Sequence, residues 1–424
     1  MDIMAFLKEN VRPATGCTEP VAVAYATALA YEALQPKFFR TDIEKIIIKT
    51  DRDVFKNAYA VTIPGTGGQK GMAIAAAMGL FCDFQKKLNL FEDMDESVVA
   101  RAKEYLPKIQ IQAVTDIEAQ PELDIQVTIR GKQRQAFVRL RYDHENVAEL
   151  IVDGQTRQLF SGQKKESRKF VLPQTLNEFL TIVQNMQSLE KAEVWKGLEL
   201  NKKIAEEGLR KRYGAGMAYE LLEMVKKNIL ADSTVMKVRI MAAAAGDARM
   251  GGVTMPVMST SGSGNQGIAA LIPILVIGEI LQHKDKMIEA AMLAHLITAL
   301  AAQDAGHLSA LCGCAIKAGM GAAAGVAYLL GGNLAQITDA INRLAACPTG
   351  MICDGAKECC ASKLETAAGK ATECAYMAMG GRSLAIDNGI ICAKVEDTIR
   401  AVGQISYSMV STDATIVKIL QNKA

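Results

Sequence analysis

The pattern of apolar residues changes near residue 175, and this change constrains the fold of the 424-residue chain more than any other feature. Before that point, short β-like runs surround one Ala-rich helical stretch at 71–81. The runs that predict strands are 44–49, 60–63, 108–114, 123–129 and 136–141. The last two flank Gly131 and both alternate apolar with polar residues, which indicates a β-hairpin.

After residue 175 the strand signal fades, and apolar residues recur at helical spacing among many Ala and Gly residues. The predicted helices there are 176–186, 189–201, 217–227, 268–282, 286–303, 316–330 and 334–345. One earlier helix is predicted at 21–34, after Pro20, and a polar segment at 157–169 predicts an exposed loop. We therefore predict an α+β protein, in which an N-terminal mixed α/β domain precedes a larger all-helical C-terminal domain.

Charge and hydropathy exclude two classes of partner. The chain has 48 basic and 46 acidic residues, a formal charge of +2, and no basic stripe, so we expect no nucleic-acid binding. The longest apolar run, at 268–278, is interrupted by Pro273 and is shorter than the roughly 20 residues that a membrane span needs. Because the N-terminus also lacks a signal-peptide pattern, we expect a cytoplasmic protein without membrane contact.

The cysteines point to metal chemistry. Eight of the ten lie between residues 312 and 392, and in a reducing compartment a cysteine cluster is better explained by metal binding or catalysis than by disulfides. Neither the C-x₂-C pairs of a zinc site nor the ferredoxin spacing is present. The loop-borne cysteines, which suit iron–sulfur ligation, are Cys17, Cys312, Cys353 and Cys360. The cysteines in Ala-rich runs, which we predict to be small buried apolar residues, are Cys82, Cys347, Cys374 and Cys392.

A glycine-rich loop at 259–267 opens onto a predicted helix. Its G-x-G-x-x-G spacing matches a dinucleotide-binding loop formally, but the strand that should precede it is missing. Backbone N–H groups and hydroxyls at a helix start favour an anion site instead, and an ordinary capped turn is the alternative. The polar side chains that could bind a substrate there are Ser261, Ser263, Asn265 and Gln266. A second glycine loop, at 64–71, lacks the Walker spacing, so ATP use is not indicated.

Two further residues are candidates for the same site. Arg249, which shortly precedes the glycine loop, could clamp a substrate carboxylate with its planar fork or form a plain salt bridge. His295 lies within a predicted helix, where a satisfied core histidine is as plausible as a functional one.

Six motifs together resemble the L-cysteine desulfidase family of serine dehydratase alpha-chain-like proteins. They occur in order along the chain, at 12–20, 64–67, 247–252, 261–267, 308–312 and 350–356. The resemblance implies a [4Fe–4S] enzyme without pyridoxal phosphate that converts L-cysteine to pyruvate, ammonia and hydrogen sulfide in cysteine catabolism. It also implies an N-terminal segment (1–35) that carries Cys17 and packs on the helical domain, an α+β domain (36–174), and a helical catalytic domain of serine dehydratase alpha-like type (175–424).

The same resemblance assigns roles to residues. It implies that Cys17, Cys312 and Cys353 hold the cluster, with Cys360 as the alternative to Cys17, and that one iron keeps an open position for Lewis-acid chemistry. The glycine-loop side chains and Arg249 would bind the substrate. The candidates for the general base are Glu19, His295 and Lys70.

Two other functions remain open at this point. One is an L-serine dehydratase, an ammonia-lyase that acts on serine. The other belongs to a different class: a non-catalytic redox sensor or small-molecule binding protein that uses the cluster or the thiols. The partner expected for the enzyme is a small amino acid, and the small-residue helices are compatible with a homodimer.

Overall fold

The computed structural model describes residues 1–91, 95–113, 123–159, 171–306 and 308–423. Within these residues a six-stranded sheet with its helices occupies much of the first half of the chain, and closely packed helices form the second half. This is the predicted α+β class.

The described helices in the first half are α1 (Ile3–Asn10), α2 (Thr18–Glu32), α3 (Arg52–Tyr59), α4 (Met72–Gly79), α5 (Glu96–Lys103), α6 (Leu176–Gln184) and α7 (Ser188–Arg210). Those in the second half are α8 (Met217–Lys226), α9 (Thr234–Met250), α10 (Gly264–Leu281), α11 (Lys284–Ala305), α12 (Lys317–Leu329), α13 (Leu334–Ala346), α14 (Cys360–Met379), α15 (Val395–Ser408) and α16 (Val410–Gln421). The described strands are β1 (Pro13–Ala14), β2 (Ile43–Thr50), β3 (Ile109–Ala113), β4 (Asp124–Gly131), β5 (Gln135–Arg141), β6 (Val147–Val152), β7 (Gln155–Leu159) and β8 (Val257–Met258).

The large sheet has the strand order β3-β2-β4-β5-β6-β7, and β2 and β3 form its one parallel pair among the described strands. The predicted hairpin is confirmed, since β4 and β5 pair antiparallel with Val127 opposite Val138. Residues on alternate positions of these strands are buried against α2, as expected of a sheet with one face on a core.

Helix α12 lies at the centre of the helical half, where every one of its residues is buried. Its small residues allow close approach to α11. A Cβ added at Gly321 would lie 2.4 Å from Thr298 Oγ1 and 2.5 Å from the Ala294 carbonyl oxygen. Because only a hydrogen fits there, the Ala/Gly-rich sequence sets the spacing of these two helices.

The N-terminal segment divides its packing between the two halves. Helix α1 joins the core of the helical half, and β1 pairs antiparallel with β8. Helix α2, in contrast, packs against the sheet and α4. The C-terminal helix α16 returns to the first half, where it packs on α3 and buries Val417 in the core of the sheet. The chain therefore crosses between the halves at both ends.

Two predictions about the first half need correction or fall partly outside the described residues. The run at 60–63 is not a strand, because its Thr62 forms only an isolated bridge to Lys70 across the glycine loop that begins at Pro64. The predicted loop at 157–169 begins inside β7, and its residues 160–169 lie outside the described part of the chain.

Helix α10 is the one described helix that is long and apolar enough to cross a membrane. Its most apolar 18-residue stretch is 83% buried inside the protein, where it contacts α9, α11, α12 and α14. This burial is that of a core helix in a globular protein.

Candidate active site

Cys17 lies at a turn that the two halves of the protein hold together. Gly16 has a positive φ of 68°, and a Cβ added there would lie 2.5 Å from Cγ of Pro64 in the second glycine loop. Cys17 follows at the N-cap position of α2, where its side chain makes no capping hydrogen bond and its Sγ lies 3.2 Å from Glu19 Oε2. Burial and the Glu19 carboxylate raise the pKa of the Cys17 thiol well above its usual value.

Two further segments carry cysteines, and we call residues 309–314 and 350–355 the cysteine loops. They are joined by an isolated bridge between Leu311 and Ile352. The Cys312 N–H donates to the Met351 carbonyl at 2.8 Å, and the Cys353 N–H donates to the Ala310 carbonyl at 2.6 Å. This pairing brings cysteines that are distant in sequence to the same place.

Five thiols converge there, and we call them the thiol cluster: Cys17, Cys312, Cys314, Cys353 and Cys360. Cys360 begins α14, and its Sγ lies 3.7 Å from the Gly355 carbonyl oxygen. Its charge acts on Cys17 and Cys314, while that of Cys312 acts on Cys353 and Cys360, so the five thiols share one electrostatic environment. Every candidate ligand from the sequence therefore lies in this cluster.

The thiols differ in how easily they ionise. The Cys314 thiol donates a hydrogen bond to Cys312, which lowers the pKa of Cys312 to about 6 and, with burial, raises that of Cys314. Burial raises the pKa of Cys353, and it raises the pKa of Cys360 to about 11. Cys312 is therefore the thiol most readily converted to a thiolate ligand.

Three lysines surround the thiol cluster. Lys56 on α3 is fully buried, and its Nζ lies 2.5 Å from Asp413 Oδ1 and 3.2 Å from the Ser309 carbonyl oxygen. Burial lowers the pKa of Lys317 to about 8, an effect that the nearby thiolates reduce. Lys363 donates to the Ile352 carbonyl and to Asp354. These cations offset the negative charge that several thiolates would bring into a buried site.

Arg249 connects the glycine loop to Cys17. Located in the last turn of α9, it donates from Nη1 to Asn265 Oδ1 at 2.7 Å and from Nη2 to the Gly16 carbonyl. The glycine loop also touches a cysteine loop, because the Gln266 amide would lie 3.2 Å from a Cβ at Gly313. The predicted substrate-binding residues therefore lie beside the thiol cluster.

Several buried polar atoms around this loop have no hydrogen-bond partner among the described residues. They are Ser261 Oγ, Gln266 Oε1, Arg249 Nε and His295 Nε2. Ser261 also has a positive φ of 48°, which is uncommon outside glycine and favours a functional position. Ser263 differs from them, because its side chain caps α10 by accepting from the Gln266 N–H. Unpaired buried groups of this kind are expected where a polar ligand binds.

The three candidate bases occupy different places. Glu19 is buried, and its carboxylate contacts Cys17 and accepts from Asn57 Nδ2 at 3.2 Å. His295 lies behind the glycine loop, with Nδ1 2.8 Å from Thr260 Oγ1, and burial lowers its pKa to about 3. Lys70 is 43% exposed and pairs with Glu358. Only Glu19 contacts a thiol of the cluster directly.

Comparison with known proteins identifies the family. A model of the serine dehydratase alpha chain family matches residues 85–418. The chain is 35% identical to a UPF0597 protein of Desulfotalea psychrophila and 36% identical to one of Desulfatibacillum aliphaticivorans, with 98% of this chain and 97% of each relative aligned. A UPF0597 protein of Caldanaerobacter subterraneus is 36% identical over the same shares.

The chain belongs to the serine dehydratase alpha-chain family. This family is generally associated with iron–sulfur clusters, so the donor set of this serine dehydratase alpha-chain protein can be tested for fit. No three His, Cys, Asp or Glu side chains in the described part of the chain are placed to bind one metal ion together. A [4Fe–4S] cluster does not require three side chains around one metal ion, because each thiolate binds a different iron of the cluster. Buried soft thiols with lysines beside them fit such a cluster.

Sequence reasoning missed several residues of this site. Cys314 was not among the predicted ligands, although its C-x-C spacing from Cys312 was visible. Lys317 carried one signal, a lysine at the start of an otherwise apolar helix, whereas Lys56 carried none. Among the remaining cysteines, Cys374 is buried as predicted. Cys347 is exposed, because it follows the end of α13 rather than lying on its packed face.

Proposed function

We propose that the protein is an iron–sulfur-dependent lyase that removes the β-substituent of L-cysteine. The observation that supports this most is the convergence of Cys17, Cys312, Cys353 and Cys360 from distant parts of the chain at one position, where Cys312 is buried and the other three are half-buried. That position lies beside a loop in which two buried polar atoms, Ser261 Oγ and Gln266 Oε1, have no hydrogen-bond partner among the described residues. A thiol cluster next to an unfilled polar surface suits a bound cofactor and a small polar substrate.

The glycine loop would hold the amino acid. Arg249 Nε and Ser261 Oγ can donate hydrogen bonds to the substrate carboxylate, and Gln266 Oε1 can accept one from its ammonium group. Arg249 is itself fixed by Asn265 and by the backbone before Cys17, so it is oriented before the substrate arrives. Such orientation lowers the entropic cost of reaching a reactive geometry.

The cluster would be held by Cys312, Cys353 and either Cys17 or Cys360. When bound, it supplies a Lewis-acidic iron that stabilises negative charge on the substrate carboxylate and on the leaving sulfur. We assign removal of the substrate α-proton to Glu19, because its carboxylate is the candidate base that contacts the thiol cluster. His295 orients Thr260 of the glycine loop, and its low pKa keeps it neutral at pH 7.

The reaction balances without a redox partner. When the α-proton is removed, its bonding electrons form a double bond between Cα and Cβ, and the C–S bond breaks. The sulfur leaves as hydrosulfide, which takes up a proton to give hydrogen sulfide. The remaining aminoacrylate tautomerises to an imine, which reacts with one water molecule to give pyruvate and ammonia. L-Serine would give the same products with water in place of hydrogen sulfide. The family match favours serine as a second candidate substrate.

The test is an anaerobic assay of the reconstituted protein. Sulfide formation from L-cysteine and pyruvate formation from L-serine are measured side by side, with Cys359→Ala as control because Cys359 is exposed and lies outside the thiol cluster. We expect sulfide and pyruvate in equal amounts from cysteine. Pyruvate from serine alone would indicate a serine dehydratase, and a stable cluster without turnover of either amino acid would indicate a redox sensor or binding protein.

We further propose that the protein acts in the cytoplasm, where free thiols persist. We propose in addition that the protein forms a homodimer. Size measurement in solution tests the homodimer, and a monomer at assay concentration would refute it.

A further inference from the structure

A buried group of four charges links the C-terminal helix to the thiol cluster. Lys56 on α3 lies 2.5 Å from Asp413 Oδ1 on α16 and 3.3 Å from Asp53 Oδ1. Asp413 Oδ2 also lies 3.5 Å from Arg52 Nε. The Lys56 side chain is fully buried and that of Asp413 is 4% exposed. Charges this deeply buried are costly unless their geometry is held in place.

Lys56 reaches from this group into both cysteine loops. Its Nζ donates to the Ser309 carbonyl at 3.2 Å, and its own carbonyl oxygen would lie 2.0 Å from a Cβ at Gly355. Gly355 also has a positive φ of 95°, so a side chain there is disfavoured both by the backbone conformation and by the clash with the Lys56 carbonyl oxygen. The charge of Lys56 also acts on Cys353. Lys56 thus contacts the 309–314 loop through its ammonium group and the 350–355 loop through its own backbone.

Asp413 is fixed by the packing of α16 on α3. Ile416 and Val417, on the next turn of α16, are buried, and Val417 enters the core of the sheet. Asp413 accepts the shortest contact that Lys56 makes, so the position of the lysine depends on a residue near the end of the chain.

We propose that Asp413 is a positioning residue that holds Lys56 against the two cysteine loops, so that the C-terminal helix stabilises the thiolate ligands of the cluster. This inference rests on the proposed function, because it concerns retention of that cluster. Groups outside the ligand shell that orient and neutralise ligands commonly change metal affinity by about 10–100-fold when they are replaced. Loss of Asp413 leaves Lys56 with Asp53 and the Ser309 carbonyl, and the loops lose a fixed cation.

The experiment compares the full-length wild type with Asp413→Asn, Asp413→Glu and Lys56→Met after anaerobic reconstitution. Iron and sulfide per chain are counted, and the rate of iron loss to a chelator is followed. We expect Asp413→Asn and Lys56→Met to lose iron on the order of 10-fold faster than wild type. Asp413→Glu keeps the charge, so it should recover part of the difference.

The matched control is Asp339→Asn. Asp339 is also buried and forms an ion pair at 2.6 Å with Arg343, whose side chain is 17% exposed, but that pair joins α13 to itself and lies outside the thiol cluster. Thermal unfolding of the cluster-free proteins measures the general loss of stability. Iron loss from Asp413→Asn at the wild-type rate, or equally fast loss from Asp339→Asn, would overturn the proposal.

A second readout separates this inference from the proposed function. In cluster-free protein, the Cys312 and Cys353 N–H groups are paired across the cysteine loops, and hydrogen exchange reports that pairing. We expect Asp413→Asn to speed exchange in 309–314 and 350–355 but not in α13. If wild type takes up no iron, the lyase proposal fails while faster exchange still supports positioning by Asp413. Unchanged exchange overturns the positioning role.

Discussion

Arg249 offers the sharpest test of how the site is built, because one buried side chain joins the glycine loop to the turn before Cys17. Its guanidinium makes two charge-assisted hydrogen bonds, to Asn265 Oδ1 and to the Gly16 carbonyl. Each such bond contributes about 1.5–3 kcal/mol, and Arg249→Met leaves both acceptors unsatisfied. Because Arg249→Met also removes the cost of burying the guanidinium charge, part of this loss in unfolding free energy is offset. We expect the free energy of unfolding to fall by about 2–5 kcal/mol.

The assay is denaturant unfolding of cluster-free protein, followed by the KM for L-cysteine of the reconstituted enzyme. Arg249→Lys keeps the charge but cannot reach both acceptors, so its unfolding free energy should lie between those of Met and wild type. Arg239→Met is the control, because Arg239 lies on the same helix and pairs with Glu365, but its side chain is 31% exposed. An unfolding free energy for Arg249→Met within about 0.5 kcal/mol of wild type, with unchanged KM, would refute this reasoning.

Three further predictions follow from single side chains. Gly321→Ala should lower the free energy of unfolding by about 1–3 kcal/mol in denaturant experiments, because the new methyl group meets the α11 backbone. Gly197→Ala is the control, because its methyl group meets only the flexible Met258 side chain. Equal losses of unfolding free energy in the two variants would contradict the packing argument. His295 is held neutral by burial, so the unfolded chain binds its proton first and wild type should lose about 2 kcal/mol more than His295→Gln between pH 8 and pH 5. Parallel pH profiles of unfolding for the two proteins would exclude that pKa. Glu19→Gln should lower the rate of sulfide formation at least about 100-fold while Lys70→Ala leaves most of it, and the reverse order would transfer the role of base to Lys70.

Helices α10, α11 and α12 were predictable because their residues are apolar over most of their surface. Both α10 and α12 lie in continuous Ala, Gly, Ile and Leu sequence, and their position in the core follows from that composition. Helices α9, α14, α15 and α16 were missed. In α14, Lys, Glu and Thr residues interrupt an apolar face made mainly of Ala. The run at 60–63 looked like a strand, but a glycine loop follows it directly and leaves it no paired neighbour beyond one bridge.

The site shows a similar limit. Cys17, Cys312, Cys353 and Cys360 could be selected from the sequence because of their loop positions. The motif resemblance then implied Cys17, Cys312 and Cys353 as ligands, with Cys360 as the alternative to Cys17. Lys56 could not be found, because α3 buries Arg52, Asp53 and Lys56 together. Propensity and pattern place such charged residues in solvent, and only the three-dimensional pairing with α16 makes their burial possible.

The central claim is that thiols distant along the chain hold one iron–sulfur cluster. The direct measurement is the iron and acid-labile sulfide content of anaerobically reconstituted wild type and of its Cys17→Ala, Cys312→Ala, Cys353→Ala and Cys360→Ala variants. We expect about four irons and four sulfides per wild-type chain, a large loss in the Cys312 and Cys353 variants, and a loss in one of the other two. Full cluster content in the variants at both Cys312 and Cys353 would contradict the account.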